Sequence, residues 1–384
     1  MPSISKSITK APGVGSVNGT RKKVNEPIAD RPRPSELITR IHTPTNLESN
    51  FASLTAAETP NRSLFVRDHF PLPKIIKSEW RLQVEGAVEK MLSLSLKDLE
   101  AMPSATHKSV LECAGNGRMF LPNVPEGVQW GLGAVGCVAW TGVPLRDVLA
   151  LAGIQSNAVE VVLQGADYGA PEKPLKPKNK IHFARSLPLS TAQRPDVLLA
   201  YQMNGQPLTA AHGAPLRIII PGWYGVAAVK WLTHIEVVRA PFHGYFQTVE
   251  YAYWKDNGTH PPERIPITQI FLKSQISRPF MHERVQAGKT YQVTGAAWTA
   301  EHKIKSVEVS TDGGKTWERS NLKEEPSDHA WQLWEWTWKP RSPGKYTLMS
   351  RATDSRGEVQ PAEHDENHES YLIHHTLPVT VQVV

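Results

Sequence analysis

Cys113 is chemically distinctive because the chain has only two cysteines in 384 residues. It ends a short apolar run and is followed at once by Ala-Gly-Asn-Gly-Arg. Small, flexible residues and a cation after a thiol predict that the thiol is presented on a loop rather than in a core. A thiolate is a soft ligand, and soft ligands select particular metals. The sequence therefore indicates a candidate metal ligand at position 113.

The other cysteine, Cys137, lies in the uncharged apolar stretch 132–140. Cysteine is among the most buried residue types, so we interpret Cys137 as core packing. A disulfide between the two cysteines is the less favoured alternative, because domains held together by disulfides carry dense sets of cysteines.

Several cations could hold an anion beside such a metal, because the guanidinium fork of arginine matches oxyanions and phosphates. Each candidate lies next to glycine, proline or aromatic residues rather than on an amphipathic face. Any one of them alone is most often a surface cation, so the prediction depends on the set. The candidates are Arg67, Arg118, Arg217 and Lys230.

Two histidines and a tyrosine extend this set. His69 and His212 lie in loop sequences, where a ring nitrogen can meet a polar atom of a ligand. Tyr251 follows a polar-aromatic stretch, and a buried core tyrosine is the alternative reading. A later group has spacing that invites a zinc site, but acidic residues are interleaved and no cysteine accompanies it, so we do not favour a metal there. That group is His364, His368, His374 and His375.

Composition excludes some classes of function and leaves others open. The net charge of +6 suits nucleic acid or a small anionic substrate, but the cations are dispersed and no nucleic-acid-binding motif appears. No apolar run approaches the roughly 18 residues of a membrane span, and no signal peptide is visible, so we expect a cytoplasmic protein. Phosphate loops, dinucleotide fingerprints and Ser-His-Asp signatures are missing. A metal-centred oxidoreductase or a non-catalytic β-rich protein remains.

The elements that must position these residues begin after a polar, Pro-rich arm over residues 1–60, with structure expected from near Ser63. Residues 61–260 alternate strands and short helices irregularly, which favours an α+β domain with mixed sheets. Strands are predicted at 80–84, 159–163, 216–220 and 235–238. Short helices are predicted after the N-cap Ser95 and over 144–152, where Gly153 ends the second.

Residues 266–384 have a different character, with strand-like runs separated by regular turn signals. This spacing predicts an all-β, immunoglobulin-like sandwich of about a hundred residues. The segment Asp312 to Lys315 resembles the Asp-box turn of propellers, but a propeller repeats that unit and this chain has it once, so we predict a hairpin turn. Prolines at 261, 262 and 266 predict a stiff linker between the domains.

Taken together, these segments resemble the sulfite oxidase family. The Cys-Ala-Gly-Asn and Met-Asn-Gly sequences are the most specific of them, and the resemblance runs from about residue 62 to the carboxy terminus. The matching segments, in the family's order, are 65–69, 111–118, 127–130, 196–205, 212–217, 221–222 and 229–231.

The resemblance implies a molybdopterin-binding domain followed by an immunoglobulin-like dimerisation domain. It implies a molybdenum–molybdopterin cofactor with Cys113 as the metal's thiolate ligand. The residues implied to hold the pterin and its phosphate are Phe65, Arg67, His69, Asp167, His212, Arg217, Ala228, Val229 and Lys230. The residues implied to line the substrate anion pocket are Arg67, Arg118, Trp130 and Tyr251.

The implied reaction is oxygen-atom transfer that oxidises sulfite, or a related sulfur compound, to sulfate. Two departures bear on the substrate. Family members carry paired arginines after Cys-Ala-Gly-Asn, whereas Gly117 takes the first position here. They also carry a late Asn-Leu-Arg-Gly segment, and the nearest stretch here is Tyr371 to His374. A pocket with fewer cations binds a dianion less tightly, since each charge-assisted hydrogen bond contributes about 1.5–3 kcal/mol.

Other functions accompany this prediction as alternatives. One is a related molybdenum enzyme that reduces nitrate or an S-oxide, but assimilatory nitrate reduction normally comes with haem and flavin domains for which this sequence has no room. A non-catalytic scaffold would have kept the fold and lost the reaction, although an unmetallated thiol at position 113 would then be an oxidation liability. The enzyme is expected to pass electrons to an external cytochrome, quinone or oxygen and to form a homodimer.

Overall fold

The computed structural model describes residues 37–384 except 174, 256, 257, 259, 260 and 326. Most of the predicted arm, residues 1–36, lies outside the described residues. The first fifteen strands are β1 Ile38–Ile41, β2 Asn46–Glu48, β3 Val66–Arg67, β4 Leu82–Gly86, β5 Leu92–Leu94, β6 Ala105–Glu112, β7 Val135–Pro144, β8 Glu160–Gly169, β9 Ile181–Pro188, β10 Leu198–Met203, β11 Gln206–Pro207, β12 Arg217–Ile219, β13 Leu232–Val238, β14 Ala252–Lys255 and β15 Glu263–Pro266. The helices are α1 Leu96–Glu100, α2 Leu145–Ala152 and α3 Leu189–Ala192.

Two sheets form the framework of the first domain. One has the strand order β5-β4-β13-β8-β9, in which β4 and β13 are parallel and the other pairs are antiparallel. The other runs β11-β10-β7-β6, with β12 paired to β10. Many strands and few helices form this domain. The first sheet mixes strand directions as predicted, whereas the strand pairs of the second are antiparallel.

The ends of the two predicted short helices are set by residues close by in the sequence. Ser95 accepts a hydrogen bond from the backbone N–H of Asp98, whose carboxylate accepts from the Ser95 backbone N–H, so α1 begins with a capping box. Pro144 precedes α2, and Gly153 follows it with a φ of 70°. Both helices are confirmed to within two residues.

Ordered structure begins earlier than predicted. Strand β2 pairs with β1 on one side and with β3 on the other in a three-stranded sheet, with Asn46 opposite Arg67. Asn46 and Glu48 are buried, and Phe51 and Leu54 belong to the main apolar core. The expected start near Ser63 is therefore wrong for residues 37–60, because strands of three or four residues are too short to show periodicity.

The described residues of the second domain form nine strands in two sheets. They are β16 Lys273–Arg278, β17 Arg284–Val285, β18 Tyr291–Trp298, β19 Ile304–Ser310, β20 Glu318–Arg319, β21 Asn321–Leu322, β22 Gln332–Trp338, β23 Gly344–Asp354 and β24 Val379–Val383. The sheets run β16-β18-β22-β21 and β17-β24-β23-β19-β20. Both contribute to one apolar cluster, for example through Val293, Trp334, Val307 and Leu348. The predicted turn at 312–315 joins the antiparallel pair β19 and β20.

The predicted linker forms a strand instead. β15 pairs antiparallel with β14, and Pro266 closes the register opposite Ala252. Proline is tolerated on an edge strand, where its missing N–H breaks no ladder bond. Buried residues of the second domain, including Trp298 and Tyr371, belong to the same apolar cluster as Val110 and Val226 of the first. In the described part of the chain, no helix is long and apolar enough to cross a membrane.

Candidate active site

A cavity of about 640 Å³ lies among the loops of the first domain. It collects residues from across roughly 190 positions of sequence, including most of those singled out above. Its lining consists of Phe65, Val66, Arg67, His69, Leu111, Cys113, Asp167, Phe183, Ala211, His212, Arg217, Gly225, Val226, Ala228, Val229, Lys230, Trp231 and Tyr251.

Cys113 is the first residue after β6, and it lines this cavity. Its backbone N–H donates to the carbonyl of Ala134 at 2.9 Å, and its own carbonyl accepts from the N–H of Asn116 at 2.9 Å, so the following turn is well held. The loop position is confirmed, but the side chain is only 8% exposed and packs in an apolar cluster. Cys113 is therefore a buried thiol that faces an internal cavity. Both cysteines are free, and Cys137 is fully buried in the core as predicted.

The Cys113 turn is anchored to the second domain by a buried charge. Glu112, the last residue of β6, accepts hydrogen bonds from Lys273 Nζ at 3.0 Å, Trp298 Nε1 at 2.8 Å and Asn116 Nδ2 at 3.0 Å. Asn116 in turn accepts from the N–H of Ala134 at 3.0 Å. The Glu112 and Lys273 side chains are each 1% exposed. Sequence reasoning missed this network, since its members lie up to 186 residues apart.

One end of the cavity carries basic groups. Arg217 donates to the carbonyls of His212 and Ala228, each at 3.0 Å, and Lys230 Nζ donates to the carbonyl of Ala211 at 2.9 Å and to Asp68. Burial lowers the pKa of Arg217 to about 9 and that of Lys230 to about 8. Both remain mainly cationic at neutral pH.

Two buried nitrogen atoms at this end, Arg217 Nε and His212 Nε2, have no hydrogen-bond partner among the residues that the structure describes. The other ring nitrogen of His212, Nδ1, forms a hydrogen bond with Thr209 Oγ1 at 2.8 Å. Burial and the charges of Arg217 and Lys230 lower the pKa of His212 to about 4, so its ring is neutral. Gly213, with a φ of 101°, lets the chain pass between Arg217 and Lys230, because a Cβ there would lie 3.2 and 3.1 Å from theirs.

Asp167 is the acidic residue of the lining. Burial raises its pKa to about 7, although the charge of Lys230 opposes the change. Because Asp167 is partly protonated at neutral pH, the basic end of the cavity keeps an excess of positive charge. That end can hold an anion.

Tyr251, His69 and Arg67 meet at another wall of the cavity. Tyr251 Oη lies 2.6 Å from His69 Nε2 and 3.4 Å from Arg67 Nη2. Burial, reinforced by Arg67 and Lys230, lowers the pKa of His69 well below its usual value. Burial raises the pKa of Tyr251 above its usual value, although Arg67 opposes the change. A neutral imidazole therefore faces a protonated phenol, and the hydroxyl is held in place.

Arg67 is oriented by the segment that sequence reasoning assigned to the arm. Its Nη1 donates to Asn46 Oδ1 at 3.2 Å, and Asn46 lies opposite it in the sheet. The neighbouring Glu48 accepts from the N–H groups of Gly131 and Gly133 at 2.9 and 2.8 Å. Strand β2 thus supports both Arg67 and the loop before β7. A buried Asn and Glu in a polar stretch of sequence give no distinguishing signal.

Arg118 and Trp130, both predicted for the substrate pocket, lie outside the cavity lining. Trp130 is fully buried and packs edge-on against Phe65, with ring centroids 6.3 Å apart. Arg118 donates to the carbonyls of Ser370 and Val128 at 3.0 and 2.9 Å. Its guanidinium carbon lies 4.9 Å from the ring centroid of Tyr371.

Gly117, where the resemblance leads us to expect an arginine, has a backbone φ of 97°. A Cβ at this position would lie 3.0 Å from Ile373 Cγ2 of the second domain. The left-handed backbone and the close contact both favour glycine. The packing of the second domain therefore favours glycine at position 117.

The late histidines lie in the second domain, against aromatic rings. The rings of His368 and His374 lie 5.4 and 4.7 Å from that of Phe271. Burial lowers the pKa of His374 and His375 to about 4. Among the residues the structure describes, no three His, Cys, Asp or Glu side chains converge as a metal-binding group.

Comparison with known domain families defines the class of this protein. Residues 69–246 match the oxidoreductase molybdopterin binding domain, and residues 264–381 match the Mo-co oxidoreductase dimerisation domain. The first match encloses Cys113 and the basic end of the cavity. The chain therefore carries a molybdopterin-binding domain and a β-rich dimerisation domain of the molybdenum oxidoreductases.

More particular relatives share most of this length. The chain is 33% identical to chicken sulfite oxidase, covering 86% of this chain and 74% of the relative, and 34% identical to human mitochondrial sulfite oxidase, covering 88% and 64%. The chain belongs to the sulfite oxidase family. It spans 57–74% of the length of the sulfite oxidases considered. A nitrate reductase from Volvox carteri is 35% identical over 72% of this chain and 34% of its own.

A solved structure resembles nearly the whole chain. The sulfane dehydrogenase SoxCD from Paracoccus pantotrophus superposes with a TM-score of 0.79 at 25% identity, covering 96% of this chain and 93% of that one. The similarity therefore includes both domains.

The residues present fit the family's molybdenum–molybdopterin cofactor. A buried thiol faces the cavity at Cys113, and a thiolate is a suitable soft ligand. Arg217 Nε and His212 Nε2, both buried without a partner, can donate to a phosphate. An unpaired buried donor costs about 1–3 kcal/mol, which a phosphate bound at these two atoms would offset.

Proposed function

We propose that this chain catalyses the molybdenum-dependent oxidation of sulfite, or a closely related sulfur compound, to sulfate. One observation carries the proposal: a buried thiol and a set of buried cations line one cavity in a chain of the sulfite oxidase family. Sulfite and one water give sulfate, two protons and two electrons. An external acceptor such as a cytochrome, a quinone or oxygen takes the electrons.

The cofactor would be held at both ends of the cavity. Cys113 would bind the metal, while His212, Arg217 and Lys230 would bind the pterin phosphate. Phe65, Arg67, His69, Asp167, Ala228 and Val229, which also line the cavity, would contact the pterin. When bound, the molybdenum centre supplies the two-electron oxidation and the exchange of an oxygen atom.

The wall formed by Arg67, His69 and Tyr251 would receive the substrate anion. Arg67 is held by Asn46, so its guanidinium would bind the oxyanion without reorganising, and such preorganised donors act strongly in a buried site. The Tyr251 hydroxyl, fixed by His69, would donate a hydrogen bond near the reacting oxygen. Arg118 would act from behind Tyr371 through its charge, and Trp130 by packing against Phe65.

The domain assignment belongs to the same proposal. We assign residues 61–260 to the catalytic domain and 266–384 to an immunoglobulin-like sandwich through which two copies form a homodimer. The match to a dimerisation domain and the two sheets around one apolar cluster support this assignment.

The experiment that tests the function is steady-state kinetics on cofactor-loaded protein with sulfite and thiosulfate, using ferricyanide as acceptor. Cys113→Ser should lower the rate of sulfite oxidation more than about a hundredfold. Mutating a residue that only supports a metal ligand lowers activity about 10–100-fold, and Cys113 would be the ligand itself. Cys137→Ala is the matched control, since Cys137 lies in the core away from the cavity, and should retain activity. Sulfite oxidation by Cys113→Ser at the wild-type rate would contradict the proposal.

The similarity to nitrate reductases supports a second candidate, nitrate reduction. It is tested on the same protein with reduced methyl viologen as electron donor. Nitrate reduction without any sulfite oxidation would reverse the direction of the proposed chemistry.

A further inference from the structure

Lys173 lies at a second cleft, of about 660 Å³, that shares Arg67 and His69 with the cavity described above. The lysine belongs to the connection between β8 and β9, and its side chain is 31% exposed. Gly127, Val128 and Glu250 also line this cleft. The Arg67 wall is therefore reached from two sides.

The Lys173 amine is held by two groups. Its Nζ donates to Tyr371 Oη at 2.6 Å and lies 3.8 Å from Glu250 Oε1. An ammonium has three donors, and within the described residues the structure gives this one a single hydrogen bond. Donors therefore remain for a ligand in the cleft.

Lys173 shares an aromatic ring with Arg118. Nζ lies 4.8 Å from the centroid of the Tyr371 ring, and the Arg118 guanidinium carbon lies 4.9 Å from the same centroid. The Tyr371 ring is 5.0 Å from that of Tyr251, whose hydroxyl contacts Arg67. Three cations thus surround two neighbouring tyrosines.

Like charges held this close oppose one another, and the Glu250 carboxylate, 3.8 Å from Lys173 Nζ, offsets only part of that repulsion. Burial lowers the pKa of Lys173, Glu250 counters this, and the charges of Arg118 and Arg67 lower it further. A small oxyanion beside Tyr251 would relieve the repulsion among these cations.

We propose that Lys173 is a specificity-determining residue that supplies a further cation to the wall formed by Arg67, His69 and Tyr251, where a sulfur oxyanion would bind, while Arg118 acts from behind Tyr371. The inference rests on the proposed function. Arginine is missing at Gly117 and from the stretch around Tyr371, and Lys173 provides a positive charge from a different loop. Tyr371 of the second domain positions it.

Kinetics with cofactor-loaded protein test this role. Lys173→Met should raise the KM for sulfite about 10–100-fold, as expected for the loss of one charge-assisted hydrogen bond, with kcat within about twofold. Lys173→Arg should restore most of the affinity. Lys176→Met removes the same charge from an exposed position in the same loop and should match the wild type.

Sulfate binding measured by calorimetry on the same proteins separates this inference from the proposed function. Lys173→Met should bind sulfate about 10–100-fold more weakly than the wild type. If the wild type oxidises no sulfite, the proposed function fails, and sulfate binding still decides the role of Lys173. Equal sulfate affinity in the wild type and Lys173→Met, or a fall in kcat with unchanged KM, would overturn the inference.

Discussion

Buried charges at the contact between the two domains differ from those in the cavity. At the contact, the Glu112 carboxylate accepts hydrogen bonds from Lys273, Trp298 and Asn116, so each of its oxygens has a donor. In the cavity, Arg217 and His212 each keep a nitrogen that has no partner within the described part of the chain. At the contact, the protein itself supplies the hydrogen-bond partners of the buried charge. In the cavity, a bound ligand would supply the partners that Arg217 and His212 lack.

The difference separates two uses of buried polarity. A buried charge without its partner is strongly unfavourable, so the paired set at the contact fixes how the domains join. Unpaired donors cost stability in the free protein and recover that loss when an anion binds. Changes at the contact should therefore alter stability, and changes at the cavity should alter cofactor binding.

The largest expected effect comes from breaking the pair at the contact. Lys273→Met leaves the Glu112 carboxylate buried without its cation, so the free energy of unfolding should fall by about 3–5 kcal/mol. Urea denaturation of the variant and the wild type measures the change. The double variant Glu112→Gln with Lys273→Met should recover part of the loss, because no uncompensated charge remains.

The matched control is another Lys–Glu pair of the second domain. Lys323 Nζ lies 2.7 Å from Glu335 Oε2, and the two side chains are 45% and 32% exposed. Lys323→Met should change the free energy of unfolding by less than about 1 kcal/mol. If Lys273→Met is no more destabilising than Lys323→Met, the contact does not depend on its buried pair.

A variant on the cavity side should show the opposite pattern. His212→Phe removes the unpartnered Nε2, so affinity for the cofactor should fall about 10–100-fold, because a hydrogen bond to a charged group contributes about 1.5–3 kcal/mol. The unfolding free energy of the cofactor-free protein should change by less than about 1 kcal/mol. Molybdenum retained per chain after gel filtration measures the first effect.

Thr209→Val is the control for this variant. Thr209 is exposed and bonds the other ring nitrogen of His212, so the change leaves Nε2 in place. Molybdenum retention should stay close to that of the wild type. Full retention by His212→Phe would show that the unpartnered nitrogen does not mark the phosphate site.

The sequence predicted those parts of the structure whose causes are local. The capping box of Ser95 and Asp98 and the Gly153 stop are contained within a few residues, and both helices form there. Cys113 and Arg217 were identified from short motifs, and both line the same cavity. Their roles in the reaction remain predictions.

The parts that sequence reasoning missed depend on distant contacts. Lys273 meets Glu112 across 161 residues, and Lys173 meets Tyr371 across 198. No periodicity or motif marks a lysine that will be buried by another domain. The proline-rich segment before Ile267 was read as a linker for the same reason, because its pairing partner β14 is not evident in the local pattern.

The smallest expected effect is a pH dependence of the unfolding free energy that distinguishes the buried Asp167 carboxylate from a surface carboxylate. The folded-state pKa of Asp167 is about 7, above its ordinary value of 3.8, because burial disfavours the charge. A raised pKa means that protonated Asp167 adds stability below pH 3.8, and that this stability is lost as the pH rises through 7.

Asp167→Asn is neutral at every pH, so it isolates this titration. Between about pH 5.5 and 6.5 the wild type should lose about 1.4 kcal/mol of unfolding free energy relative to the variant. Urea denaturation at the two pH values measures this. Asp98→Asn is the control: hydrogen bonds from Ser95 lower the pKa of Asp98, so its carboxylate stays charged across the window and the difference from the wild type should not change. If the Asp167→Asn difference is also constant, Asp167 is charged in the folded protein, and the basic end of the cavity is more nearly neutralised than its burial implies.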